Sequence, residues 1–317
     1  MTRAALLVAA ALPPGAGGAL SPGAGGRRTR PAVRAVRTAL LAMLPLLGAA
    51  GDAPAARPAP EHAQNPGAPA VAAEAVTFPA ADSLPVSGWW LAGPAGAPAV
   101  VIGGRGAGST ADRLPAARAF LERGFAVLTF DYRGCGPGHD PATDDSLRTI
   151  VFASAWVDDM LGALRYARSR AGSGRHVFAW GQDPGGAVAV AAAARERRSC
   201  DAVATEGLFR TAQDHLRMLG TSTIPHVAER HGVLVRGGDD PISACARLMV
   251  PLLTVLAGRD DVTPPTVTRQ VAARCLVRWE SWAIPEAKHE GAEQTPGYFD
   301  RIAAWFKRWT AFPAGGS

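Results

Sequence analysis

Gly181-Gln-Asp-Pro-Gly-Gly186 is the segment of this chain with the clearest chemical signature. It follows an apolar run over 175–180 and precedes an Ala/Val-rich stretch, which reads as strand, tight turn and helix. Glycines stand two before and two after Asp183, as a sharp elbow with a closely packed helix requires. The helix N-terminus favours negative charge at that point. A carboxylate held there can attack an alkyl carbon and form an ester, or it can be locked into an inert ion pair. Pro184 comes next, and proline has no N–H to offer a developing oxyanion.

Other candidate groups have plainer readings. Gly103-Gly-Arg-Gly-Ala-Gly108 lacks the Lys-Ser/Thr ending of a phosphate-binding loop and the spacing of a dinucleotide fingerprint. His215, His226 and His231 are spaced by 11 and 5 with no flanking cysteines, so they read as surface histidines, and no metal site is expected. Asp158-Asp159 and Asp239-Asp240 read as solvated or capping pairs, with too few oxygen ligands nearby for calcium. Arg133 is expected to tie loops together. Cys200, Cys245 and Cys275 each precede an expected strand. One disulfide is expected among them, with Cys200–Cys245 preferred because it would anchor the segment that follows. Ser109 and Cys135 are further nucleophile candidates, but neither sits on an elbow. No cofactor is called for.

The elements that must position these groups alternate. Strands are expected at 75–79, 85–91, 98–103, 125–131, 175–180, 201–206, 250–257 and 276–284. Helices are expected at 110–123, 152–171, 184–197, 264–275 and 297–310. The later strands are nearly continuous apolar runs, as in a parallel sheet covered on both faces. Strands separated by helices imply right-handed crossovers, while the first two, with no helix between them, imply an antiparallel start. The expected fold is α/β: about eight strands, mostly parallel, in a domain over 74–317. Residues 207–247 break the alternation and are read as a small cap insertion.

Charge sorts the chain further. Its 317 residues carry a net charge of +6. Residues 1–60 hold seven arginines and one acid, which leaves 26 basic and 26 acidic side chains in the rest. The body is therefore neutral, and a nucleic-acid partner is not expected. Arginines over 27–37, an apolar stretch over 38–50 and a small-residue exit read as an export signal, so 1–50 is assigned to a signal peptide or extension. Residues 51–73 read as a Pro/Ala-rich linker. The expected location is secreted or periplasmic, with membrane contact only through an uncleaved N-terminal segment.

Several stretches, in order, carry a resemblance. They are 101–106 (VIGGRG), 130–136 (FDYRGCG), GQDPGG, 206–209 (EGLF), 258–265 (GRDDVTPP), His289 and 297–302 (GYFDRI). Together they resemble the alpha/beta-hydrolase superfamily, in particular its short-capped serine acyl and peptide hydrolases. The resemblance implies a catalytic triad at Asp183, Asp261 and His289, with Asp260 as runner-up for the acid. It also implies an oxyanion and substrate-binding region at Gly104, Arg105, Gly106 and Pro184. The departure is double, because relatives carry Ser at the position of Asp183 and an N–H at that of Pro184. Two main readings stay open. One is a hydrolase acting on a small ester-like or alkyl substrate through Asp183. The other is a catalytically silent relative, with Arg105 or His289 paired to Asp183.

Overall fold

The computed structural model describes residues 72–105, 110–133, 152–218 and 235–314. The expectations for the export signal and most of the linker, and for Gly106, Ser109, Cys135, His226 and His231, lie outside these residues. So does the middle of the expected cap, residues 219–234.

Eight strands form one sheet: β1 (Glu74–Pro79), β2 (Pro85–Leu91), β3 (Ala99–Gly103), β4 (Ala126–Phe130), β5 (Val177–Gln182), β6 (Ala202–Glu206), β7 (Leu252–Arg259) and β8 (Trp279–Lys288). Their order is β1-β2-β4-β3-β5-β6-β7-β8. The β1–β2 and β2–β4 pairs are antiparallel, and every other pair is parallel. The antiparallel start and the parallel body are as the sequence pattern implies. The α-helices among the described residues are α1 (Leu114–Glu122), α2 (Ser154–Ala171), α3 (Pro184–Arg195), α4 (Ala212–Met218), α5 (Pro241–Cys245), α6 (Pro265–Ala272) and α7 (Tyr298–Trp309). None of the described helices is long and apolar enough to cross a membrane.

Alternation along the central strands feeds two apolar layers. Val100, Ile102, Phe178 and Trp180 join α1 and α7 on one face. Ala99, Val101, Val177 and Ala179 join α2 and α3 on the other. Each large side chain so buried contributes roughly 1.5–3 kcal/mol. Helix α3 packs against β5, α2 and α5. A helix buried on all sides must be apolar all round, which explains its Ala/Val composition. Its start touches the end of β3 backbone to backbone. A Cβ on Gly185 would lie 2.5 Å from the carbonyl oxygens of both Gly103 and Gly104. Glycine is thus required there, and the contact brings 103–105 beside the elbow.

Two expectations are corrected. No Cys200–Cys245 bridge forms, and the three cysteines are free and buried. The Cys245 thiol meets that of Cys275 instead, while burial pushes the Cys200 thiol up to about 12, away from the reactive thiolate. Nor are Asp158, Asp159 and Asp239 solvated, since they are buried, whereas Asp240 caps as expected by accepting the Ala212 N–H of α4 at 3.0 Å. Asp158 meets Arg195 at 2.6 Å, Asp159 meets Arg133 at 2.5 Å, and Asp239 pairs with Arg195. Arg133 also reaches Asp82 at 2.6 Å, so it ties the turn after β1 to α2 as a loop clasp.

Candidate active site

Asp183 occupies the turn between β5 and α3 with φ 49° and ψ −118°. A non-glycine residue held in such a sparsely populated region costs on the order of 1–3 kcal/mol. The turn is fixed from both sides, since the Asp183 N–H donates to the Glu206 carbonyl at 2.8 Å and its carbonyl accepts from Ala187 N at 3.1 Å. Among the described residues the other non-glycine positive-φ positions are Ser83 and Glu290, and Glu290 lies beside Asp183. Backbone strain therefore gathers at this site. Pro184 is the first residue of α3, so the N–H that follows the elbow residue is missing by chemistry.

The Asp183 side chain is buried, and its Oδ1 has no hydrogen-bond partner among the described residues. Its Oδ2 lies 3.8 Å from His289 Nε2 and 3.1 Å from His215 Nε2. Arg105 does not reach it. The Arg105 guanidinium instead meets Glu290 at 3.0 Å, Glu293 at 3.2 Å and Gln182 Oε1 at 2.8 Å. Of the two pairings a silent site would allow, the one with Arg105 is therefore not formed, while the one with His289 is present at 3.8 Å.

His289 Nδ1 lies 3.1 Å from both carboxylate oxygens of Asp260. This corrects the acid from Asp261 to Asp260, because Asp260 is buried and Asp261 is exposed. The cause is register. Ala257 pairs with Ile284 but Arg259 pairs with Lys288, so a bulge lets β8 gain residues on β7 and sets Asp260 beside His289. The turn then fixes Asp260, whose Oδ1 accepts the N–H groups of Val262 at 2.9 Å and Thr263 at 2.7 Å. The Thr263 hydroxyl donates to Oδ2 at 2.7 Å.

Burial raises the Asp260 carboxyl, but the His289 and Thr263 hydrogen bonds outweigh that and hold it below its usual range. Burial pulls the His289 imidazolium down. The Asp260 hydrogen bond and the charges of Asp183, Asp260 and Glu290 outweigh it and leave His289 above its ordinary value. Burial pushes Glu290 up, against the opposing pull of Arg105.

Directly behind the elbow lies a second buried polar group, and this one is satisfied. Gln182 Oε1 accepts from Arg113 at 2.7 Å, and Gln182 Nε2 donates to Glu206 Oε2 at 2.8 Å. Glu206 also accepts from Ala292 N at 2.9 Å and the Tyr298 hydroxyl at 3.1 Å. Burial raises the Glu206 carboxyl despite these bonds.

His215 was not singled out as a site residue. It sits on α4, is fully buried, and stacks on Phe209 with centroids 4.3 Å apart. Neither ring nitrogen has an aligned hydrogen-bond partner. The surface-histidine expectation is therefore corrected. The buried Ala212, His215 and Leu216 mark the inner face of a short helix, and that three-to-four spacing was the available signal. Glu290, next to His289, was also missed. Gly104, by contrast, lies at the elbow as expected, with room for a Cβ against the Tyr132 ring at 3.7 Å.

A strained elbow, a parallel sheet whose strand ends carry the reactive groups, and an acid-held histidine define one class of protein. A family model described as alpha/beta hydrolase fold matches residues 98–221. Over that stretch the chain is similar to the alpha/beta hydrolases, and its eight-stranded sheet has their fold. Among its relatives, an uncharacterised protein of Mycobacterium tuberculosis strain H37Rv is 25% identical over 220 residues, 68% of this chain and 72% of that protein. Protein bem46 of Schizosaccharomyces pombe is 25% identical over 203 residues, 62% of this chain and 63% of bem46. Similar solved structures include the alpha/beta hydrolase GrgF from Penicillium sp. sh18, with TM-score 0.60 and 17% identity over 76% of this chain and all of that one. An esterase of Pyrococcus furiosus gives a TM-score of 0.58 at 16% identity, over 76% and 94% of the two chains. At these identities the structures speak for the fold alone.

Proposed function

We propose that the chain is a hydrolase that uses Asp183 as a carboxylate nucleophile on a small alkyl or ester-like substrate, with His289 as base and Asp260 as its orienting acid. For an alkyl substrate, an Asp183 oxygen attacks carbon and the leaving group departs with its electron pair, giving an ester. His289 then takes a proton from water, the water oxygen adds to the Asp183 carbonyl carbon, and the product alcohol leaves with that proton. The observation that carries this reading is Asp183 Oδ2 at 3.8 Å from the Nε2 of a histidine whose Nδ1 is held by Asp260. The orienting acid is read as Asp260 rather than Asp261. The N-terminal segment is read as an export signal, checked by N-terminal sequencing of the mature protein.

Turnover in ¹⁸O-water under single-turnover conditions tests the covalent step. The label is expected in the Asp183 carboxylate, and turnover with Asp183 unlabelled overturns the reading. Pro184 favours a second reading, a silent binding protein, because hydrolysis of the ester lacks one of its two usual oxyanion donors. Such a loss is worth about 10²–10³ in rate. Absence of any ester at Asp183 across alkyl and acyl probes would support that second reading.

A further inference from the structure

Asp183, His289 and Glu290 each offer one ligating atom, and these atoms all lie within 4.8 Å of one another. We propose that this cluster is a binding site for a divalent first-row transition ion of zinc type, with Asp183, His289 Nε2 and Glu290 as its protein ligands.

The donor chemistry points to that class of ion. One imidazole and two carboxylates suit zinc, manganese or iron, whereas magnesium and calcium take all-oxygen sets. His289 is prepared as a ligand. Asp260 holds Nδ1 at 3.1 Å, which leaves Nε2 as the coordinating nitrogen, in the carboxylate–histidine–metal arrangement that orients metal-binding imidazoles. The local charge is favourable as well. The carboxylates of Asp260 and Asp183 lie 3.1 Å and 3.8 Å from the His289 ring, and Glu290 follows it in the chain, so negative charge gathers at that spot.

An independent observation comes from the other side of the elbow. His215 is fully buried, has no aligned hydrogen bond at either nitrogen, and brings Nε2 to 3.1 Å from Asp183 Oδ2. Asp183 Oδ1 is also buried without a partner. Buried polar atoms left unpaired cost roughly 1–3 kcal/mol each, so an orphaned carboxylate oxygen beside an orphaned imidazole calls for a group that completes it. Among the described residues no arginine pairs with Asp183, and Arg105 is engaged by Gln182, Glu290 and Glu293. An ion bound at 2.0–2.2 Å holds its ligand atoms roughly 3.3 Å apart, so the cluster closes by side-chain rotation, with Glu290 turning from Arg105 toward the ion.

This inference goes beyond the covalent reading and does not depend on it, because binding is read on the resting protein. Zinc chloride titrated into the metal-stripped full-length chain, followed by calorimetry, should give one ion per chain. Glu290→Gln and Asp183→Asn should each weaken binding by more than about 100-fold. Asp260→Asn, which acts through His289, should weaken it by about 10–100-fold. X-ray absorption of the zinc-loaded chain should show a nitrogen and oxygen shell. Binding that Glu290→Gln and Asp183→Asn leave within twofold overturns the proposal. So does a first shell containing sulfur, which would move the ion to the Cys245–Cys275 pair. Circular dichroism of each variant separates lost ligation from lost fold. Zinc binding without ¹⁸O in Asp183 removes only the covalent reading, and ¹⁸O in Asp183 without zinc binding removes only this one.

Discussion

Two buried carboxylates stand on adjacent strand ends and differ in one respect. Glu206, at the end of β6, is met by Gln182, Tyr298 and the Ala292 N–H. Asp183, one residue past β5, has an oxygen with no partner, an imidazole beside it without hydrogen-bond alignment, and a strained backbone. A satisfied buried carboxylate is a structural part. An unsatisfied one on a strained turn is a place where a further group is meant to act. The comparison predicts opposite responses when each is altered.

The largest effect is expected at the unsatisfied member. If Asp183 is the nucleophile, Asp183→Ala should lower turnover by on the order of 10⁴–10⁶, as loss of a nucleophile does elsewhere. Urea unfolding should show little loss of stability, because Oδ1 has no partner and Oδ2 meets only imidazoles without aligned hydrogen bonds. A variant that unfolds more easily while retaining turnover would reverse the assignment of roles.

Asp260→Asn comes next, with turnover lowered by about 10⁴ through loss of the orienting charge. It should also move the pH profile. A base acts when neutral, so turnover rises with pH through the His289 pKa, which lies above the ordinary value of about 6.5. Removing Asp260 takes away the strongest of the interactions that raise it, so the acid limb should shift to lower pH. Stability should follow the same pair. The raised His289 contributes stability that is fully present below about pH 6.5 and lost as pH rises through its folded value. The lowered Asp260 contributes stability present above about pH 3.9 and lost as pH falls through its own. The pH-dependent stability difference between wild type and Asp260→Asn should therefore be greatest between these limits, and a flat difference would argue against the pair.

At Glu206 the expectation inverts. Glu206→Ala strands Gln182, Tyr298 and the Ala292 N–H in a buried setting, and unfolding by urea should show a loss of about 3 kcal/mol. A milder change is expected from Asp183→Gly, which relieves the φ of 49° and should stabilise the chain by about 1 kcal/mol, measured as a raised urea midpoint. Equal responses at Glu206 and Asp183 would dissolve the contrast.

Much of this was legible in the sequence, for a physical reason. Alternating apolar runs and glycine-punctuated turns are local signals, so the eight strands and the elbow at Asp183 could be read directly, whereas His289 came only with the family resemblance. What escaped depends on contacts between distant segments. His215 was read as exposed because it falls in the expected cap and its spacing to the other histidines makes no metal pair, whereas its helix turns it inward onto Phe209. The partners of Arg105 come from 290–293, a loop whose approach to β3 no local pattern encodes. The cysteines were expected to bridge because they share a sheet edge, yet sharing an edge does not set which thiols face one another.

The smallest expected effect tests the finest of these distinctions. Asp260 and Asp261 are neighbours of the same chemistry, and nothing in the string GRDDV separates them. The bulge that pairs Arg259 with Lys288 does, because it turns one carboxylate into the β7–β8 corner and leaves the other in water. A solvent-exposed carboxylate interacts weakly with distant charges. Asp261→Asn should therefore leave turnover within about twofold and stability within ~0.5 kcal/mol of wild type. It should also leave the acid limb of the pH profile where it is. A shifted limb in Asp261→Asn with a normal profile in Asp260→Asn would show that the corner is wound the other way, with the register of β8 slipped accordingly.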